Sequence, residues 1–204
     1  MTACPIMNRH NRGRPREFDM DEVLDKAIGV FRTQGYHATS INDLAAATGL
    51  AGGSLYKAFR VKDAVFRAAF ERYNDIRNGQ IKRLLEMDKT GREKIRELIS
   101  LYVESSHGEK GRQGCLVVGS AVELSTLERS SAKYVEDALA RLQKTIETLI
   151  RMGQADGSIP QSVEVTAASR FILCLLQGLR VIGKTAPTKR ETAAAADLAL
   201  KILS

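Results

Sequence analysis

The stretch Gly178-Leu-Arg-Val-Ile-Gly183-Lys184-Thr185 spells the phosphate-loop pattern G-x-x-x-x-G-K-[ST] letter for letter. Such a loop cradles nucleotide phosphates on backbone N–H groups, and its lysine reaches the terminal phosphates. The apolar run Phe171 to Leu176 could pass for the strand before it. The surroundings point elsewhere. A phosphate loop opens a helix at its lysine and hydroxyl residue, whereas here Pro187 and the Pro-Thr-Lys-Arg stretch interrupt and proline does not continue a helix interior. Leu179 to Ile182 are helix formers, and no later strand pattern brings a magnesium-binding aspartate. Nucleotide binding through Gly178 to Thr185 is therefore the minor alternative. Other chemistry is thinner. His10, His37 and His107 are scattered without ligand spacing, so no metal is expected. Asp19, Asp21, Glu22 and Asp25 crowd a helix start, where capping and the helix dipole account for acidic groups. No catalytic residue and no cofactor follows from these patterns. Cys4, Cys115 and Cys174 have neither metal nor disulfide spacing, which suits a reducing cytoplasm. Cys115 stands beside the basic residues Lys110 and Arg112, which could lower its pKa and make it a redox or electrophile sensor; an inert core thiol is the plainer reading.

The groups that can hold phosphate are gathered between Thr39 and Phe66, TSINDLAAATGLAGGSLYKAFRVKDAVF. Ser40 can cap a first short helix and Asp43 can close a capping box, with Ile41, Leu44 and Ala45 inward. Thr48, Gly49 and Leu50 supply the turn, because glycine takes the positive φ that stops a helix. A second helix from about Gly52 would bury Leu55 and Phe59 and leave Gly53, Ser54, Tyr56 and Lys57 facing out. This is a helix-turn-helix, the geometry that lays its second helix in the DNA major groove. Lys57, Lys62 and the hydroxyls of Thr39, Ser40 and Tyr56 are the candidate phosphate contacts, which fix register without reading sequence. Base reading falls to Ser54 and to the close backbone approach that Gly52 and Gly53 permit. Upstream, Arg9, Arg12, Arg14 and Arg16 form a basic arm able to track phosphates or enter a minor groove.

At Thr48-Gly49-Leu50, Leu55-Tyr56-Lys57-Ala58-Phe59 and Lys62-Asp63 the chain resembles the tetracycline-repressor (TetR/AcrR) family of one-component transcription factors. One departure is visible: Ala51 stands where that family usually has a serine or threonine cap, and Gly52-Gly53 replaces a bulkier pair. The resemblance implies a homodimer built on the two C-terminal helices and a repressor released from a palindromic operator by a small molecule.

The elements that must position these groups read as helices throughout. A chain of 204 residues can hold a small domain plus a larger one, and its net charge of +7 favours a polyanionic partner. No apolar run approaches a transmembrane length by this reading, and the N-terminus lacks the apolar core of a secretory leader, so a cytoplasmic protein without membrane contact is expected. The division is a basic arm over 1–18, a three-helix DNA-binding domain over 19–64 and a helical effector-binding and dimerisation domain over 65–204, all-α, with about nine helices in all. The first helix carries the stripe Val23, Leu24, Ala27, Ile28 and Phe31, capped by Asp19 with Glu22 and ended by Gly35. A long helix from about Val65 to Leu85 is the expected mechanical link between the two domains. His107 to Gly114 reads as a loop, and Cys115 to Leu124 as a buried central helix. Tyr102, Cys115, Leu116, Phe171 and Leu175 would then line a lipophilic effector site. Gly178 and the alanines 193–196 mark helices that approach another helix closely.

Overall fold

A computed structural model describes residues 19–204, so Arg9, Arg12, Arg14 and Arg16 lie outside the described residues. Among the described residues every regular element is a helix. Helix α1 (Met20–Gln34) starts on Asp19, whose carboxylate accepts from the Asp21 amide at 2.9 Å. Glu22, expected to share in that cap, pairs instead with Lys26 one turn along. The stripe from Val23 to Phe31 is buried as its spacing requires. Helix α2 (Ile41–Thr48) carries the closed capping box of Ser40 and Asp43 and ends on Gly49 at φ 74°, in the left-handed region. Thr48 belongs to the helix rather than the turn, its hydroxyl donating to the Leu44 carbonyl at 2.7 Å. Helix α3 (Gly52–Phe59) follows, with Leu55 fully buried and Phe59 half-buried.

Helix α4 (Lys62–Leu85) begins ahead of Val65, because Val61 adopts the extended cap conformation immediately after α3. The connection is so short that Arg60 is held at φ 63°, an unfavourable conformation for a residue with a Cβ. Beyond α4 come α5 (Gly91–Ser105), α6 (Gly108–Arg112), α7 (Leu116–Val122), α8 (Arg129–Asp156), α9 (Val165–Ile182) and α10 (Lys189–Leu200). Two expectations are corrected here. The segment after His107 is not all loop, since it contains the short α6. The run from Cys115 is not a buried central helix: α7 buries Leu116, Val117 and Ser120 on one side, while Val122 is 83% exposed.

Helix α9 has apolar residues all round. Ile172 and Leu176 are fully buried, whereas Phe171 and Ile182 are about half exposed. Two apolar faces make Val165–Thr185 long and apolar enough to cross a membrane, which corrects the sequence reading. One of those faces belongs to the protein core.

The buried apolar residues form two clusters. One joins α1 to α3 and the first half of α4, through Phe66 and Phe70, with α7 and the start of α8, including Leu116 and Val135. The other gathers the end of α4, α5, the rest of α8, α9 and α10 around Leu84, Ile99, Ile146 and Leu176. Helix α4 therefore runs through both.

Candidate nucleic-acid interface and internal cavity

The exposed side of α3 carries Tyr56, 63% exposed, with Lys57 beside it and Gly52 and Gly53 open to solvent. Ser54 is half-buried at the same end. Ala51 caps α3 without a side-chain hydrogen bond, so the first amides lack the usual oxygen acceptor and face outward at the positive end of the helix. Ser40 is exposed, but its hydroxyl is engaged with Asp43 at 2.6 Å. That bond and the backbone amide of Ser40 hold the Asp43 carboxyl below its ordinary range.

Thr39 and Lys62 fall elsewhere than expected. Thr39 is 2% exposed, and its hydroxyl donates to the Gly35 carbonyl at 2.6 Å, so it is spent inside the α1–α2 turn. The Lys62 ammonium donates to the carbonyls of Tyr36 and Thr39, both at 2.9 Å, and lies over the Tyr36 ring. Its cation ties α4 to that turn. Arg60, which sequence reasoning passed over, is exposed at the end of α3. The signal was the basic residue immediately after Phe59.

Between α4 and α8 lies a cavity of about 450 Å³, closed by Tyr102 of α5, Cys115 and Gln177 of α9. Two expected lining residues, Tyr102 and Cys115, are there. Three are not. Leu116 is buried in the apolar cluster of the head, and Phe171 and Leu175 line a separate surface groove with Leu198 of α10 and Ile202 of the 3-10 turn Lys201–Leu203. They miss the cavity because α9 turns its Ile172–Leu176 face inward and the Phe171–Leu175 face outward. The walls are apolar as expected, but polar anchors are not few: Arg77, Lys82, Arg141 and Lys144 face the cavity together with Asn74, Asn78 and Gln177.

At the inner end of the cavity the Arg77 guanidinium sits 4.6 Å from the centre of the Tyr102 ring. The Tyr73 hydroxyl donates to the Cys115 sulfur at 3.4 Å. Burial, reinforced by the neighbouring sulfur, pushes the Tyr73 phenol up to about 12. Burial alone would raise the Cys115 thiol as well, but the Arg77 charge and the Tyr73 hydrogen bond outweigh it and hold the thiol below its ordinary value.

The residue before Cys115 is a junction. The Gly114 carbonyl accepts from Arg32 of α1, at 2.7 Å and 3.1 Å, and from Arg180 of α9 at 2.6 Å. At the end of α7, the Glu123 carboxylate accepts from the backbone amides of Tyr36 and His37 at 2.8 Å and 3.4 Å. These contacts correct the expectation that α4 alone links the two parts. Neither was legible beforehand, since both join residues far apart in sequence. The phosphate-loop letters, finally, fall on the last turns of α9 and the 3-10 turn Gly183–Thr185. A helix interior cannot wrap a phosphate.

An exposed recognition helix mounted on a helical body with its own cavity places the chain among helix-turn-helix transcription regulators. Residues 23–69 match the family described as bacterial regulatory proteins, tetR family, and residues 91–198 match the tetracyclin repressor-like C-terminal domain. The chain belongs to the TetR family and is a DNA-binding transcriptional regulator rather than an enzyme. The HTH-type transcriptional repressor ComR of Escherichia coli (strain K12) is 30% identical over 174 residues, 85% of this chain and 83% of that one. Among solved structures, a cysteine mutant of the regulator CifR complexed with a 26-base-pair operator duplex has a TM-score of 0.82 at 28% identity, over 92% of this chain and 98% of that one. A second CifR mutant with operator DNA has a TM-score of 0.83 at 27% identity, over 94% and 100%.

Proposed function

We propose that the protein is a cytoplasmic repressor that occupies a palindromic operator as a two-fold dimer and leaves it when a small molecule fills the α4–α8 cavity. The observation that carries this reading is the double use of α4. Phe66, Phe70 and Tyr73 complete the core of the DNA-binding head, while Arg77, Ile81 and Leu85 on the same helix wall the cavity. A ligand that favours one pose of α4 thereby biases the pose of both recognition helices. ComR is named a repressor, and CifR is complexed with operator DNA, which supports the same role here. Ser54 and the backbone of Gly52 and Gly53 read bases, Ser40, Tyr56 and Lys57 hold phosphates, and Arg14 and Arg16 of the arm follow the adjacent backbone. The dimer uses the outward faces of α9, of α10 and of the 3-10 turn after it, where Phe171, Ile182, Leu198 and Ile202 are exposed and a Cβ on Gly178 would meet nothing within 4 Å. Exposed apolar residues on adjacent helices suit a partner that supplies the same face.

Anisotropy titration of palindromic duplexes taken from DNA flanking its own gene, against random duplex, is the test. A preference of at least about a thousandfold is expected, with affinity falling steeply as salt rises. Equal affinity for both duplexes would overturn the reading. A thiol response is a second reading, favoured by the Arg77 and Tyr73 contacts that depress the Cys115 thiol.

A further inference from the structure

The cavity between α4 and α8 is lined with charge of one sign. Its lining includes four cationic side chains, Arg77, Lys82, Arg141 and Lys144, and no carboxylate. Lys82, Arg141 and Lys144 are exposed, whereas Arg77 is half-buried. No ion pair involves Arg77 among the described residues. Its charge rests on the Tyr102 and Tyr73 rings, 4.6 Å and 5.8 Å from their centres. Ring faces attract a cation, and the only oxygen beside it among the described residues is the Tyr102 hydroxyl, so most of the five N–H donors of the guanidinium remain for a ligand. Gln177 adds a second unfilled donor, since its Nε2 is buried without a hydrogen-bond acceptor while the residue lines the same cavity. A buried donor without an acceptor is unfavourable, and a ligand that supplies one recovers that loss. The remaining wall is apolar: Ile81 and Leu85 run along α4, and Leu139 and Leu142 face them from α8.

We propose that this cavity takes an amphipathic carboxylate, its head group bidentate on Arg77 and within reach of Gln177, its apolar tail between Ile81, Leu85 and Leu142. This deepens the effector reading given above and rests on it for the word effector. The volume, about 450 Å³, falls in the range of roughly 300 to 1,000 Å³ that holds small-molecule ligands. The rim cations draw anions toward the opening, because a low-dielectric cleft lined by one sign of charge concentrates counter-ions. A planar carboxylate matches the arginine fork in a way that an alcohol or amide does not.

The experiment compares matched probes on the full-length protein: decanoate with decanamide, and 4-phenylbutyrate with 4-phenylbutyramide, by titration calorimetry and thermal shift, followed by operator anisotropy. At least one carboxylate is expected to bind at least about tenfold more tightly than its amide, a difference of ~1.4 kcal/mol. Arg77→Gln is expected to level the pair. Should Arg77→Gln fail to fold, Arg77→Lys, which keeps the charge and removes the planar fork, is expected to weaken the carboxylate and narrow its preference over the amide. Amides that bind as tightly as their acids, an Arg77→Gln protein that keeps the preference, or no binding by either acid at millimolar concentration would each overturn the proposal. The operator arm separates the two readings. A carboxylate bound through Arg77 that leaves operator affinity unchanged supports the anion site and sinks induction, whereas an amide that binds as tightly as its acid and releases operator sinks the anion site and supports induction.

Discussion

Lys57 and Lys62 carry the same charge into different surroundings, and their substitutions separate binding from folding. Lys57 is exposed on α3, so Lys57→Ala is expected to weaken all DNA sequences alike, to lower the salt slope by about one and to leave the melting temperature where it was. Lys62 holds two carbonyls of the α1–α2 turn. Lys62→Ala is therefore expected to lower the melting temperature of the protein, and the DNA loss follows from that; thermal denaturation beside the titration checks both. An unchanged melting temperature would return Lys62 to the phosphate-contact role that its sequence position suggests. At Cys115 the Arg77 charge and, after it, the Tyr73 hydroxyl that donates to the sulfur favour the thiolate. Tyr73→Phe removes that donor, so the thiol titrates higher and iodoacetamide modification at neutral pH is expected to slow. Operator affinity that stays the same after Cys115 is fully modified would end the thiol-response reading.

Individual helices were legible wherever the signal was local. The Asp19 cap, the Ser40–Asp43 box, the Gly49 stop and the α1 stripe all sit where their spacing put them, because each depends on residues within one turn. Segment 107–124 resisted, since the short α6 is fixed by the turn Gly183–Thr185 and the one-sided α7 by α1, α8 and α9, contacts that no periodicity announces. Helix α9 resisted differently. With apolar residues on every side, its pattern cannot say which face turns inward, and Phe171 and Leu175 lie on the outward one. The outward face yields a prediction at this scale. Leu198, on α10, is 64% exposed and can accept a charge in the isolated chain without cost to the core. Leu198→Glu is thus expected to fold normally and yet to run as a monomer by light scattering, because a carboxylate buried in the dimer would lose hydration without a partner. Palindrome binding is expected to weaken with it. A dimer that survives both Leu198→Glu and Gly178→Glu would move the interface off these helices.

Across the whole molecule, the DNA-binding head is anchored to the body at α4, at the Gly114 carbonyl shared by Arg32 and Arg180, and at Glu123 beneath the Tyr36–His37 amides. The last of these is the one that can be cut with least damage. Glu123 sits at the end of α7, half-buried, and its carboxylate serves the head rather than its own helix. Two recognition helices on a two-fold operator must present themselves roughly 34 Å apart, and a head free to swing pays for that spacing each time it binds. A fixed head does not. Glu123→Ala is therefore expected to leave the dimer and the fold of the head intact, to speed amide exchange at Tyr36 and His37, and to weaken a palindromic duplex about fivefold, a coupling of ~1 kcal/mol. A duplex carrying a single half-site makes no demand on spacing, so its affinity is expected to stay level. Anisotropy on the two duplexes, side by side, reads the difference directly. Equal losses on both would mean that Glu123 supports the local fold of the α1–α2 turn, and that the orientation of the head is set by α4 and the Gly114 junction alone.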